Sequence, residues 1–103
     1  MNERVLVVGT IRPGKRGELE KLLATGPPFD LAASGFANHS AFLGERTVVL
    51  MFEGEGARAH VQDLSRRLPM AQLARIGMLV HNPELLTEGL SWTPSESHGA
   101  AHA

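Results

Sequence analysis

Two stretches of this chain are apolar at consecutive positions, not alternate ones, and both are rich in β-branched residues. In Arg4 to Arg12 (RVLVVGTIR), Val5 and Val7 lie on one parity and Leu6 and Val8 on the other, before Pro13-Gly14 ends the run. In Arg46 to Glu53 (RTVVLMFE), Val48 and Leu50 alternate with Val49 and Met51 in the same way. Successive side chains of a strand point to opposite faces, so a run apolar on both parities predicts a strand covered on both sides.

Between and after these runs the period changes. Lys15 to Ala24 carries Leu19, Leu22 and Leu23 at helical spacing with Glu18, Glu20 and Lys21 opposite, and Gly26-Pro27-Pro28 stops it. Phe29 to Ser34 reads as a connection whose Phe29 and Leu31 plug the sheet edge. Gly35 to Leu43 alternates Phe36, Asn38, Ser40 and Phe42 against Ala37, His39, Ala41 and Leu43. With the Gly44-Glu45 turn it predicts a hairpin onto the second doubly apolar strand. Gly54-Glu55-Gly56 breaks that strand. Ala57, Val61, Leu64 and Leu68 then form a helical stripe, which Pro69 interrupts. Met70 to Val80 resumes as a helix with Leu73, Ala74, Gly77 and Met78 on one side, and His81-Asn82-Pro83 ends it. Leu85 to Thr93, with Trp92 near its end, predicts a fourth strand. One domain over residues 1–93 is expected, with the last stretch, PSESHGAAHA over 94–103, as a flexible tail. No internal repeat is present.

The order β-α-β-β-α-(α)-β predicts an α+β, ferredoxin-like split βαβ unit with a four-stranded antiparallel sheet, whose first and third strands are central. Those are the two doubly apolar strands. Helices in such a unit cover one face of the sheet. The other face would leave four or five large apolar side chains in water, each forgoing roughly 1.5–3 kcal/mol. A patch of that size marks an interface. The expected solution is a homodimer with two sheets face to face about a two-fold axis, a dimeric α/β barrel.

Composition narrows the functional classes. At 103 residues the chain has the length of one domain. Ten Lys+Arg against eleven Asp+Glu give a net charge of −1, and the arginines are scattered, so no nucleic-acid footprint is predicted. There is no cysteine, which removes disulfides, thiolate nucleophiles and Cys-ligated metals together. Tyrosine is absent as well. The start runs directly into a strand, and no apolar run approaches the ~18–20 residues that span a bilayer. A cytoplasmic protein without membrane contact is expected.

Arg12-Pro13-Gly14-Lys15 running into Glu18-Leu19, the hairpin from Gly35-Phe36 to Phe52-Glu53, and Ala57-Arg58-Ala59-His60 after it together resemble the dimeric α/β-barrel superfamily. Within it they are most similar to the antibiotic biosynthesis monooxygenase group, which places a His on the helix after the third strand. Members that oxidise polycyclic phenols or haem use a Trp late on the third strand and an Asn on the first. This chain has Phe52 and Thr10 near those places. The resemblance spans about residues 4–93 and implies a cofactor-independent monooxygenase, or a related isomerase or cyclase, acting on a planar apolar substrate.

Among chemistry-bearing residues, His60 flanks the Ala57/Val61/Leu64/Leu68 stripe and is the candidate general base, since imidazole titrates near neutral pH. Thr10, Asn38, His39 and Trp92 are the candidate substrate contacts. A boundary histidine, a solvated edge strand and a packed tryptophan are the structural alternatives. Asn38 and Ser40 share a parity with Phe36 and Phe42, a half-polar, half-aromatic face that either a pocket wall or a wet edge would show. His81 is expected to cap the preceding helix. No metal site is assigned. A centre built from His39, His60 and His81, or from two of them with Glu53, is a distant alternative, because their spacing carries no ligand motif. No cofactor is called for. The second functional reading is a dimeric ligand-binding or interaction module without chemistry.

Overall fold

The computed structural model describes residues 2–27 and 29–94. Its elements are β1 (Asn2–Ile11), α1 (Arg16–Ala24), β2 (Asn38–Leu43), β3 (Thr47–Glu55), α2 (Ala57–Arg67), α3 (Met70–Leu79) and β4 (Val80–Thr87). The strands form one antiparallel sheet in the order β2-β3-β1-β4. This is a ferredoxin-like α+β fold, with the two doubly apolar strands at its centre.

The β1–β3 register sorts the side chains. Val5 stands opposite Phe52, Val7 opposite Leu50 and Gly9 opposite Val48; between them Leu6 faces Met51 and Val8 faces Val49. Cross-strand partners share a face, so the first set and the second lie on opposite sides. The first set is the inner side. There Val5, Phe36 and Phe52 cluster with Ala57 and Leu64 of α2. Ile11 and Val48 cluster with Leu19 of α1 and Leu79 of α3. All three helices therefore bury against one face.

Three local features depart from the sequence pattern. First, β3 runs on through Gly54 to Glu55. Gly54 is buried beneath the 35–37 segment, where an added Cβ would stand 3.0 Å from both the Gly35 carbonyl oxygen and the Ala37 nitrogen. That crossing also delays β2, which begins at Asn38 and not at Gly35. Phe36 lies before the strand, escapes its alternation and turns into the core.

Second, the helix-ending tripeptide His81-Asn82-Pro83 lies within β4, which begins at Val80 and ends at Thr87. Val8 pairs with Glu84 while Thr10 pairs with His81, so β4 holds one residue more than β1 over this span. That is a β-bulge. Asn82 takes φ 52°, a conformation Asn tolerates, and proline is admissible at a bulge on an edge strand because no ladder N–H is needed there. The strand consequently finishes before Gly89, and Trp92 lies beyond it.

Third, α3 shows its apolar stripe to solvent. Leu73, Ala74, Gly77 and Met78 are exposed, whereas Gln72 and Ile76 are half-buried and Leu79 is buried. Two constraints set this rotation. Leu68 and Pro69 are extended, so α3 does not inherit the phase of α2. Leu79 passes straight into β4 with no linker and accepts a hydrogen bond from the Arg12 backbone N–H at 2.8 Å. The strand fixes the helix. The segment joining α1 to β2, by contrast, is anchored by Phe29, whose ring lies 6.0 Å from Phe36 and 5.6 Å from His39, as the edge-plug reading expects. Residues 95–103 of the expected tail lie outside the described residues.

Two glycines test these placements. Gly54→Ala is expected to lower unfolding stability by about 1–3 kcal/mol, because the overlap is with backbone that cannot rotate away. Gly77→Ala, where an added Cβ meets nothing within 4 Å, is expected to raise it by about 0.5–1 kcal/mol through helix propensity. Urea unfolding midpoints of the two variants check both signs.

Candidate functional site

The helices span only 9, 11 and 10 residues and do not fill the inner face of the sheet. Between them and the strands lies a cavity of about 440 Å³, within the range of small-molecule sites. Val7, Val48 and Leu50 form its floor; Leu19 and Leu22 of α1, and Leu64 at the end of α2, wall it. The lining is overwhelmingly apolar. Among the described residues His39, Thr25, Gln72 and Arg75 are its polar side chains, and no carboxylate takes part.

His39 reaches the cavity because it pairs with Phe52 across β2–β3 and so shares the inner face. Its ring stacks on Phe52 at 4.3 Å between centroids and 24° between planes, with Phe29 tilted over it. Its Nδ1 lies 3.0 Å from the Met51 carbonyl oxygen. A carbonyl only accepts, so in the neutral ring Nδ1 carries the proton and Nε2 keeps the lone pair. This is an imidazole set in an aromatic wall with one nitrogen committed to the backbone and the other holding a basic lone pair. The aromatic faces of Phe29, Phe52 and His39 suit a planar guest.

α3 supplies the opposite chemistry. Gln72 and Arg75 sit three residues apart, on one side of the helix, and with Ile76 both line the cavity. Among the described residues neither side chain has a hydrogen-bond or ion-pair partner. Thr25, by contrast, donates to the Leu22 carbonyl at 2.6 Å and is committed. Sequence reasoning passed over Gln72 and Arg75 because they belong to the polar side of α3, which looked like the solvated one. The available signal was the linker-free junction at Leu79-Val80.

Of the other residues singled out in the sequence, none lines the cavity. His60 lies on α2 with its ring edge-on to Phe36 at 6.0 Å and against Gly35, where an added Cβ would come within 2.8 Å of Nε2. Thr10 is exposed on the outer face; its neighbour Gly9 is the residue that meets the cavity. Asn38 is exposed, and its Oδ1 accepts from the His39 backbone N–H at 2.9 Å. Trp92 is 66% exposed. His81 pairs with Thr10 on the edge strand β4, at the opposite end of the strand order from His39. Among the described residues, no three His, Asp or Glu side chains stand close enough to hold a metal ion. The wall of the pocket is thus the parity of β2 opposite to the one carrying Asn38, Ser40 and Phe42.

The outer face of the sheet is apolar, and no helix of the described residues covers it. Leu6, Val8, Val49 and Met51 are half-buried, Phe42 is 57% and Leu86 38% exposed, and Leu6, Phe42, Met51 and Leu86 share one shallow depression. Arg4 and Glu88 close one end with a 2.7 Å ion pair. Hydrogen bonding to Glu88, then its charge, raises the Arg4 pKa above the ordinary guanidinium value. No helix among the described residues is long and apolar enough to cross a membrane.

No protein-family model matches the chain, and no curated protein matches it. Among solved structures it is similar to a protein of unknown function from Nitrosomonas europaea. The two share 23% identity over 91% of this chain and 96% of that one, with a TM-score of 0.63. That likeness is one of fold.

Proposed function

We propose that the cavity between sheet and helices binds a small, planar, largely apolar molecule, and that His39 acts on it as a general base. The observation that carries this reading is the Nδ1 contact with the Met51 carbonyl, which leaves a basic Nε2 on a ring stacked into the aromatic wall of an otherwise apolar cavity. An oriented imidazole of this kind removes a proton from an acidic hydroxyl. The resemblance to the antibiotic biosynthesis monooxygenases makes a phenol the preferred substrate and dioxygen the co-substrate, with no cofactor. The base in this reading is His39 in place of His60, which lies off the cavity.

A non-catalytic binding module is favoured by a different observation. Among the described residues no carboxylate lines the cavity to pair with His39 as an acid–base couple. Oxygen uptake with a panel of polycyclic phenols separates the two. Catalysis predicts uptake by the parent protein, a fall of about 100-fold or more in His39→Ala, and an unchanged rate in His60→Ala. Phenol binding without uptake by the parent selects the module.

The same proposal includes a homodimer through the outer face. Its support is the continuous surface of Leu6, Val8, Val49, Met51, Phe42 and Leu86, whose exposure in a monomer is unfavourable. The bordering charges are of both signs, Arg4 against Glu53, Glu84 and Glu88, as a self-complementary two-fold contact requires. Sedimentation equilibrium is expected to give twice the chain mass for the parent and the single-chain mass for Val49→Glu. A parent that stays monomeric at tens of micromolar removes the dimer.

A further inference from the structure

We propose that the ligand of this cavity is a monoanion, an apolar planar acid whose carboxylate is read by Arg75 with help from the amide of Gln72. The inference rests on the cavity being a binding site and goes on to name the chemistry of its guest.

Among the described residues Arg75 is the one charged side chain on the cavity wall. Its surroundings do nothing to neutralise it. Arg4, Arg16 and Arg67 are ion-paired to Glu88, Glu20 and Asp63, and Arg12 donates to the Gly77 carbonyl. Among the described residues Arg46, Arg58, Arg66 and Arg75 have no such partner, and of these Arg75 is the one that lines the cavity. A guanidinium beside apolar surface, with its planar fork of donors unused, is arranged for bidentate contact with a carboxylate.

Gln72 strengthens the assignment. It lies three residues earlier on the same side of α3, is half-buried, and its side-chain amide also lacks a protein partner among the described residues. An amide N–H beside a guanidinium extends the donor set. The orientation of α3 is itself informative. This helix turns Leu73, Ala74 and Met78 to solvent, and puts two polar side chains toward a cavity otherwise walled by Leu, Val and Phe. Hydrophobic burial alone would favour the opposite rotation.

Charge fixes the valence. While His39 is neutral, the one guanidinium balances one negative charge, and a second anionic group brought in with the guest would be desolvated in this apolar space without a partner. Phosphomonoesters and dicarboxylates are therefore disfavoured, and a monocarboxylate on a flat hydrocarbon body fits. The aromatic wall of Phe29, His39 and Phe52 receives the body; α3 receives the head.

The test is calorimetric titration of the full chain with 2-naphthoate and with its neutral isostere 2-naphthamide. The expected result is at least tenfold tighter binding of the acid by the parent. That preference should fall to less than threefold in Arg75→Gln and survive in part in Arg75→Lys. Arg75 is exposed, so both variants are expected to keep the parent's far-ultraviolet dichroism and melting temperature. Equal affinity for acid and amide in the parent overturns the monoanion and leaves the apolar cavity standing. A preference that persists in Arg75→Gln also overturns it, since another group then reads the charge. Binding of neither probe overturns the cavity reading and this inference together.

Discussion

Were β1 to slip by one residue against β3, Val5 and Val7 would leave the side of Phe52 and Leu50, and Leu6 and Val8 would take their places under the helices. Because both strands are apolar on both parities, pattern alone tolerates either register. What decides is shape. Gly9 must lie on the inner face, where a Cβ would collide with the Val80 side chain, and Gly54 must lie where the 35–37 segment crosses. The two glycines sit at opposite ends of the paired region and on the same parity as the core. They fix which side becomes the interior, and hence that His39 of β2 faces the cavity while its neighbours Asn38 and Ser40 face out.

From that register the cavity follows as a shortage of cover. Three helices of about three turns or fewer must roof a four-stranded sheet, and their rotation is constrained at both ends of α3. Pro69 breaks continuity with α2, and the direct passage of Leu79 into β4 fixes the far end. The helix cannot roll its apolar stripe inward without pulling Leu79 out of the core it shares with Ile11, Leu19 and Val48. What remains inside is a space lined by hydrocarbon on the sheet side and by Ile76, Gln72 and Arg75 on the helix side.

Much of the fold is legible in the residues themselves. The doubly apolar runs identify the central strands, the Leu19/Leu22/Leu23 stripe identifies α1, and Pro69 marks the break between α2 and α3. The fourth strand is displaced because Asn-Pro, ordinarily a helix stop, is also acceptable at an edge-strand bulge. Choosing between these uses requires knowing that β1 lies alongside. The site is less legible. Alternation along β2 puts His39 and Asn38 on opposite faces but does not say which face is roofed. Phe36, which seemed to label the aromatic side, lies ahead of the strand and turns the other way. Gln72 and Arg75 were hidden because helical periodicity finds the apolar side of α3, and here that side faces water.

Met51 joins the two faces of the sheet. Its carbonyl accepts from the His39 ring while its side chain lies in the outer depression with Leu6, Phe42 and Leu86. β2 is an edge strand held only by β3, so the orientation of the imidazole depends on how firmly the backbone at Met51 is held. A second copy seated on the outer face would press on the Met51 side chain and steady that carbonyl from behind. A bare outer face would leave the hydrogen bond to a strand pair at the rim of the sheet. With a second copy so seated, contact on the outer face and the aim of the imidazole inside the cavity would meet in one residue, the peptide plane of Met51 being the mechanical link between them.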